Sequence, residues 1–153
     1  MTLPEKLTHH TTIFIDTAPI IYYIEAHPHF GTLAKDVVDA FQSGTLMAFS
    51  SVITLAEVLP KPVETGNTAL ADQFTAFLRR GKHIRLVEIS ADIAESAGKL
   101  RGKYPAIRAM DALQLAVALH VGADAFITND VRLKRITEIE SIVLKDYITS
   151  VIL

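Results

Sequence analysis

A three-layer α/β/α fold around a mostly parallel sheet is what the sequence predicts, and three observations carry that reading. Short β-branched and aromatic runs (TTIFIDT, TLMAFSS, IRLVEIS, DAFITND) recur along the chain, as buried strands do. Longer stretches with apolar residues at helical spacing separate them. Strands alternating with helices imply right-handed crossovers and a sheet covered on both faces. The chain has 153 residues, without an internal repeat, a low-complexity stretch or a long linker. That length suits a single domain, 1–153, with one core.

The elements follow in order. TTIFIDT forms the first strand, with Asp16 at its carboxyl end. Pro19 then precedes IIYYIEA, and proline is tolerated in the first turn of a helix. HPHFG at 27–31 marks a break, after which LAKDVVDAFQSG places Leu33, Val37, Val38 and Phe41 on one helical face, with Gly44 as a stop. TLMAFSS is the second strand. Ser50, Ser51 and Thr54 are candidate caps for a helix through VITLAEVL. KPVETGN, within 60–67, reads as a loop before TALADQFTAFLRRGK resumes the helical pattern. IRLVEIS is the third strand, and Ser90 caps the helix ADIAESAGKLRGKY, which ends near Pro105. AMDALQLAVALHVG is a strongly apolar helix stopping at Gly122, DAFITND is the fourth strand, and SIVLKDYITSVIL has room for one more short strand.

Composition excludes several functions. The absence of cysteine removes disulfides, thiolate nucleophiles and zinc-thiolate sites. No apolar run reaches the roughly 18–20 residues that cross a bilayer, and MTLPEKLTHHTT lacks a signal-peptide pattern. The expectation is a soluble cytoplasmic protein with no membrane partner. A formal net charge of −2 argues against a uniformly basic nucleic-acid surface and leaves room for a local basic patch beside an acidic site.

Four acids stand out because apolar residues surround each of them: Asp16 in FIDTA, Glu57 in LAEVL, Asp111 in AMDAL and Asp130 in FITND. Singly, each has a plain use. Asp16 and Asp130 suit a turn or N-cap, Glu57 lies three residues after Thr54 as in a capping box, and Asp111 suits a helix start. Jointly, they fall where one edge of a parallel sheet brings residues together, outside the carboxyl ends of the strands. Carboxylates about 4 Å apart repel by roughly 1 kcal/mol in water and by several times that at a protein surface, so such a cluster takes up protons or a cation. Hard oxygen donors without cysteine select Mg²⁺ or Mn²⁺, and the chemistry such an ion serves is phosphodiester hydrolysis.

The motifs IFIDTAPIIYYIE, SSVITLAEVL and MDALQLAVALHVGADAFITND, in this order and spacing, resemble those of the PIN domain, in particular the compact form of VapC-type toxins. The resemblance covers residues 12–145. It implies a metal-dependent ribonuclease, acting as the toxin of a toxin-antitoxin pair and dimeric, with RNA as substrate and an antitoxin protein as possible partner. It also implies that Asp16, Glu57, Asp111 and Asp130 are catalytic and hold the metal. Thr17 and Thr128 match its polar supporting positions and are grouped here with Arg108, one turn before Asp111, on the substrate side. Two positions depart from the pattern: Ala18 stands where asparagine or serine is common, and Gln114 where histidine is common.

Other readings stay open. RRGKHIR at 79–85 suits RNA phosphates or a helix dipole, and HPH and THHT suit metal or nothing at all. IIYYIE and LQLAVALH suit the core or a dimer surface. The fold also suits a silent binding module for RNA or protein, or an aspartyl phosphotransfer domain with Asp16 as nucleophile. Ala18 counts against the last, since the second acid that one such superfamily needs is absent there.

Overall fold

The computed structural model describes residues 1–148. Its sheet has five strands, all parallel, in the order β3-β2-β1-β4-β5, formed by β1 (Thr12–Ile15), β2 (Met47–Ser51), β3 (Ile84–Val87), β4 (Ala125–Thr128) and β5 (Glu140–Val143). The chain winds outward from β1 through β2 to β3, then returns to place β4 on the other side of β1. The reversal lies between β1 and β4, where Ile13, Phe14 and Ile15 pair with Ala125, Phe126 and Ile127. A crevice opens at such a point because the flanking connections leave in opposite directions.

Alternation along the strands divides the core in two. Ile13 and Ile15 of β1, with Ala125 and Ile127 of β4, face one layer of helices. That layer comprises α1 (Leu3–Leu7), α2 (Thr17–Ile24), α3 (Gly31–Gln42), α4 (Val52–Val58), α5 (Pro60–Glu64) and α6 (Thr68–Arg80). Phe14 and Phe126 face the other layer, stacked at 5.3 Å between ring centroids. There α7 (Ala91–Lys103) and α8 (Ala109–His120) cover the sheet. Both central strands are therefore buried on both sides, which is why they read as unbroken apolar runs rather than alternating ones.

The predicted elements are present, with four differences. The segment 60–67 is not simply a loop: Pro60 and Pro62 start the short helix α5, proline's fixed φ suiting a first turn. The unpredicted α1 rests on a capping box in which Thr2 and Glu5 exchange hydrogen bonds, with Pro4 in its first turn. Ser51, not Ser50 or Thr54, caps α4, its hydroxyl accepting from the Ile53 N–H. The last strand occupies Glu140–Val143, and the rest of the SIVLKDYITSVIL prediction runs into a short 3₁₀ turn (Leu144–Tyr147) and then beyond the described residues. Ser90 caps α7 as expected, and Gly44 and Gly122 follow their helices at φ +88° and +71°, the left-handed region where a side chain is strained. Among the described residues no helix is long and apolar enough to cross a membrane.

Two glycines give this packing a test. A Cβ on Gly81, at the α6 to β3 junction, would lie 2.3 Å from the Phe77 carbonyl oxygen and 2.6 Å from Ile84 Cγ2, whereas one on Gly98 in α7 would meet nothing within 4 Å. Gly81→Ala is expected to cost about 1–3 kcal/mol through overpacking, and Gly98→Ala to stabilise by roughly 0.5–1 kcal/mol through helix propensity. Urea denaturation of the two variants measures both signs.

Candidate active site

All four sequence-predicted acids come together. Asp16 follows β1, Asp130 follows β4, Glu57 lies in the second turn of α4 and Asp111 in the first turn of α8. They line one open hollow of about 290 Å³ at the carboxyl edge of the sheet, together with Thr17, Thr128 and Arg108. Its place is the reversal between β1 and β4.

Two threonines tie the acids together. The Thr17 backbone N–H donates to Asp16 Oδ1 at 2.9 Å, and its hydroxyl donates to Glu57 Oε1 at 2.6 Å. The buried Thr128 hydroxyl donates to Asp16 Oδ2 at 2.8 Å and accepts from the Asp130 N–H at 3.1 Å. Each of these threonines therefore spans two acids. The plain N-cap reading also holds: Asp16 caps α2, and Asp130 caps the 3₁₀ turn Val131–Arg135. Capping and clustering are compatible, because a carboxylate has acceptor capacity for both.

The electrostatics differ among the acids. Burial pushes the Asp16 carboxyl up to about 6 against the opposing hydrogen bonds from Thr128 and Thr17, with smaller contributions from the charges of Asp111 and Glu57. Hydrogen bonds from the Arg132 guanidinium hold Asp130 below the usual carboxylate range, aided by its backbone N–H and by the charge of Arg108. Arg108 Nε lies 3.4 Å from Asp111 Oδ2. Among the described residues no three acids or histidines are close enough, as they stand, to hold one ion between them.

The PIN domain model matches residues 13–139. The chain belongs to the PIN domain family. No curated protein matches it in sequence. Among solved structures, a chain of VapBC2 from Rickettsia felis, bound to a DNA fragment of its promoter, superposes with a TM-score of 0.67 at 20% identity, covering 86% of this chain and 98% of that one. A toxin-antitoxin complex from Klebsiella pneumoniae gives 0.64 at 22% identity, covering 86% and 97%. VapC20 of Mycobacterium tuberculosis, a sarcin-ricin loop cleaving toxin, gives 0.60 at 22%, covering 74% and 86%. These likenesses show the fold, which resembles the VapC type.

Beneath the acids of this PIN domain lies a polar network that the sequence did not reveal. Gln114, one of the two departures, is buried in α8. Its Nε2 donates to Thr54 Oγ1 at 2.8 Å and to Thr17 Oγ1 at 3.4 Å, while its Oε1 accepts from the Ser51 hydroxyl. Thr17 and Thr54 hydroxyls are 2.8 Å apart. The proton order follows from chemistry. An ionised Glu57 only accepts, so Thr17 gives it its proton, and Thr54 in turn gives its proton to Thr17 and receives from Gln114. Thr54 is thus a core residue under Glu57 and not the first member of a capping box. Asn129 was also missed. It lines the hollow and joins Tyr22 to the Lys145 N–H.

The remaining candidates lie outside the cluster of acids. Arg79 and Arg80 sit in the last turn of α6, and residues 79–85 enter β3 at the amino edge of the sheet, the side opposite the acids. His27 accepts from the His29 and Phe30 N–H groups. His10 is buried between the Lys6 carbonyl and Glu140. LQLAVALH belongs to the core on one side of the sheet, and IIYYIE is partly buried against the core on the other, with Ile21 and Tyr22 also lining the hollow.

Two outcomes are expected. Gln114→Leu, close in volume, strands the Ser51 and Thr54 hydroxyls and should cost about 1–3 kcal/mol in urea denaturation. Asp16 has a folded pKa raised above its unfolded value, so its contribution is fully present below about pH 4 and is lost as pH rises through 6. Asp16→Asn should therefore be more stable than the metal-free wild type at pH 7.5, by on the order of 2 kcal/mol. Thermal melts in EDTA should show that gap closing towards pH 4.

Proposed function

We propose that this chain is a Mg²⁺- or Mn²⁺-dependent endoribonuclease that hydrolyses RNA phosphodiesters as the toxin of a toxin-antitoxin pair, with an antitoxin protein as partner and a homodimer as its working form. The observation that carries the reading is the gathering of Asp16, Glu57, Asp111 and Asp130 around one hollow at the sheet reversal, linked by Thr17 and Thr128. Membership of the PIN family and the fold shared with VapC-type proteins support it.

The donor set suits a hard divalent cation. It offers carboxylate oxygens and no thiolate, and Asp16, raised first by burial and further by the charges of Asp111 and Glu57, is a carboxylate whose ionised form a cation would favour. The four acids would hold the ion, which when bound supplies Lewis-acid polarisation of water and neutralises charge on the phosphate. The threonines hold Asp16 and Glu57 in place, so that little rearrangement of these two is needed. Thr17 and Thr128 thus serve the acids, while Arg108, exposed beside Asp111, faces the substrate side. Glu57 is the exposed acid and receives the Thr17 proton on one oxygen only, so we assign it the proton released as water adds to phosphorus. The bond from phosphorus to the leaving ribose oxygen breaks in the same displacement, and the departing oxygen keeps the bonding electrons and takes a proton from solvent water.

Purified wild type, Asp16→Asn and Asp111→Asn should be compared on a panel of structured and single-stranded RNAs with EDTA, Mg²⁺ and Mn²⁺. Cleavage is expected in metal only. Each substitution should reduce it by roughly 100-fold or more, as expected when several kcal/mol of charge stabilisation is removed. Full cleavage by either variant, or RNA binding without cleavage in excess Mn²⁺, overturns the assignment.

A further inference from the structure

Two of the four acids have arginine partners within the chain itself. The Arg132 guanidinium grips Asp130 from both sides, Nε donating to Oδ1 and Oδ2 at 3.0 and 3.2 Å and Nη2 to Oδ2 at 2.7 Å. Arg108 stands against Asp111. The arginine side chains are mostly in water, with 60% of Arg132 and 72% of Arg108 exposed, whereas their acid partners are 23% and 21% exposed. Exposed ion pairs of this kind are weak and exchange readily.

The two pairs also form one cluster, since the charge of Arg108 acts on Asp130 and that of Asp111 on Arg132. They line a small cavity of about 80 Å³ beside the acid hollow, with Arg135 as a third guanidinium on its wall. Three arginines around one pocket, two of them spent on carboxylates, form a site in which cations of the protein occupy the acids. An ion that takes the oxygens of Asp130 competes with the hydrogen bonds from Arg132, and no three acids among the described residues are gathered now.

We propose that Arg132 and Arg108 are exchangeable counter-ions: in the free protein they occupy Asp130 and Asp111, and when a divalent cation takes those carboxylates the released guanidiniums bind a backbone phosphate of the RNA strand in the adjoining pocket. The inference rests on the nuclease reading above and adds a consequence to it. Cation and RNA then bind cooperatively, each removing a competitor of the other, and the coupling is reciprocal. Guanidinium is suited to the exchange because its planar fork matches carboxylate and phosphate alike.

The test is Mn²⁺ binding, by calorimetry and by the Mn²⁺ paramagnetic resonance signal, with and without a short phosphorothioate oligoribonucleotide whose integrity is checked on gels. Wild type should bind Mn²⁺ about 5-fold or more tightly with the oligonucleotide present. Arg132→Met should bind Mn²⁺ more tightly than wild type alone, bind the oligonucleotide more weakly, and lose the coupling. Arg79→Met, at the opposite edge of the sheet, removes the same charge and should leave both affinities unchanged. Circular dichroism verifies that each variant is folded. The exchange is overturned if wild type binds Mn²⁺ but Arg132→Met binds it no more tightly, if the oligonucleotide leaves the Mn²⁺ affinity of wild type unaltered, or if Arg79→Met reproduces the Arg132→Met result. Should neither wild type nor Arg132→Met bind Mn²⁺ at any RNA concentration, the nuclease reading itself falls and the exchange falls with it.

Discussion

Holding carboxylates together at the end of a buried sheet, where burial first and mutual repulsion second disfavour their charge, is the constraint on which the rest of this molecule depends. Parallel strands leave their carboxyl ends open where the winding reverses, and this chain places Asp16 and Asp130 at the two strand ends that flank the reversal. Helix starts and turns bring Asp111 and Glu57 to the same hollow. Such an arrangement is unfavourable by itself. The surrounding residues answer it in two ways: hydroxyl and amide donors are aimed at the carboxylates, and arginines lie over two of them.

The first of these answers reaches deep into the core. A buried glutamine is costly unless its amide is satisfied, and Gln114 meets that condition by joining β2, α4 and α2 through Ser51, Thr54 and Thr17. The same bonds fix the direction of the Thr17 hydroxyl and so the position of Glu57. Stability and site geometry are therefore held by one set of interactions. The Phe14 and Phe126 stack on the other side of the two central strands keeps β1 and β4 in register, which sets the spacing between their terminal acids.

The second answer separates the acids by exposure. Asp16 has hydrogen bonds from Thr17 and Thr128 and no arginine, so it bears the cost of burial and sits near 6. Asp130 and Asp111 lie nearer to water and have guanidinium partners. The site is thus graded, from a carboxylate that readily takes a proton to one that stays ionised well below neutral pH, and that grading is what gives a set of chemically similar side chains different roles.

Much of this was legible in the residues. Apolar β-branched runs, helical periodicity, Ser90 and the glycines after α3 and α8 mark elements whose causes are local, and the four acids announced themselves by charge in apolar surroundings. Local signals also explain the misses: α1 carries a capping box in TLPE that was open to reading, and α5 begins at prolines that resemble a break. The Ser51, Thr54, Gln114 and Thr17 network was not readable, because its members come from separate segments and each alone suits a cap or a surface. Nor was the pairing of Arg132 with Asp130, two residues apart in a turn whose 3₁₀ geometry no periodicity predicts. The sequence by itself determined which segments are strands and helices and which side chains carry charge into apolar ground, since those follow from propensity and burial along the chain. Only the tertiary structure decided which acid is buried, which is paired and which is free, because a carboxylate's state depends on neighbours that the reversal of the sheet brings from the far end of the chain.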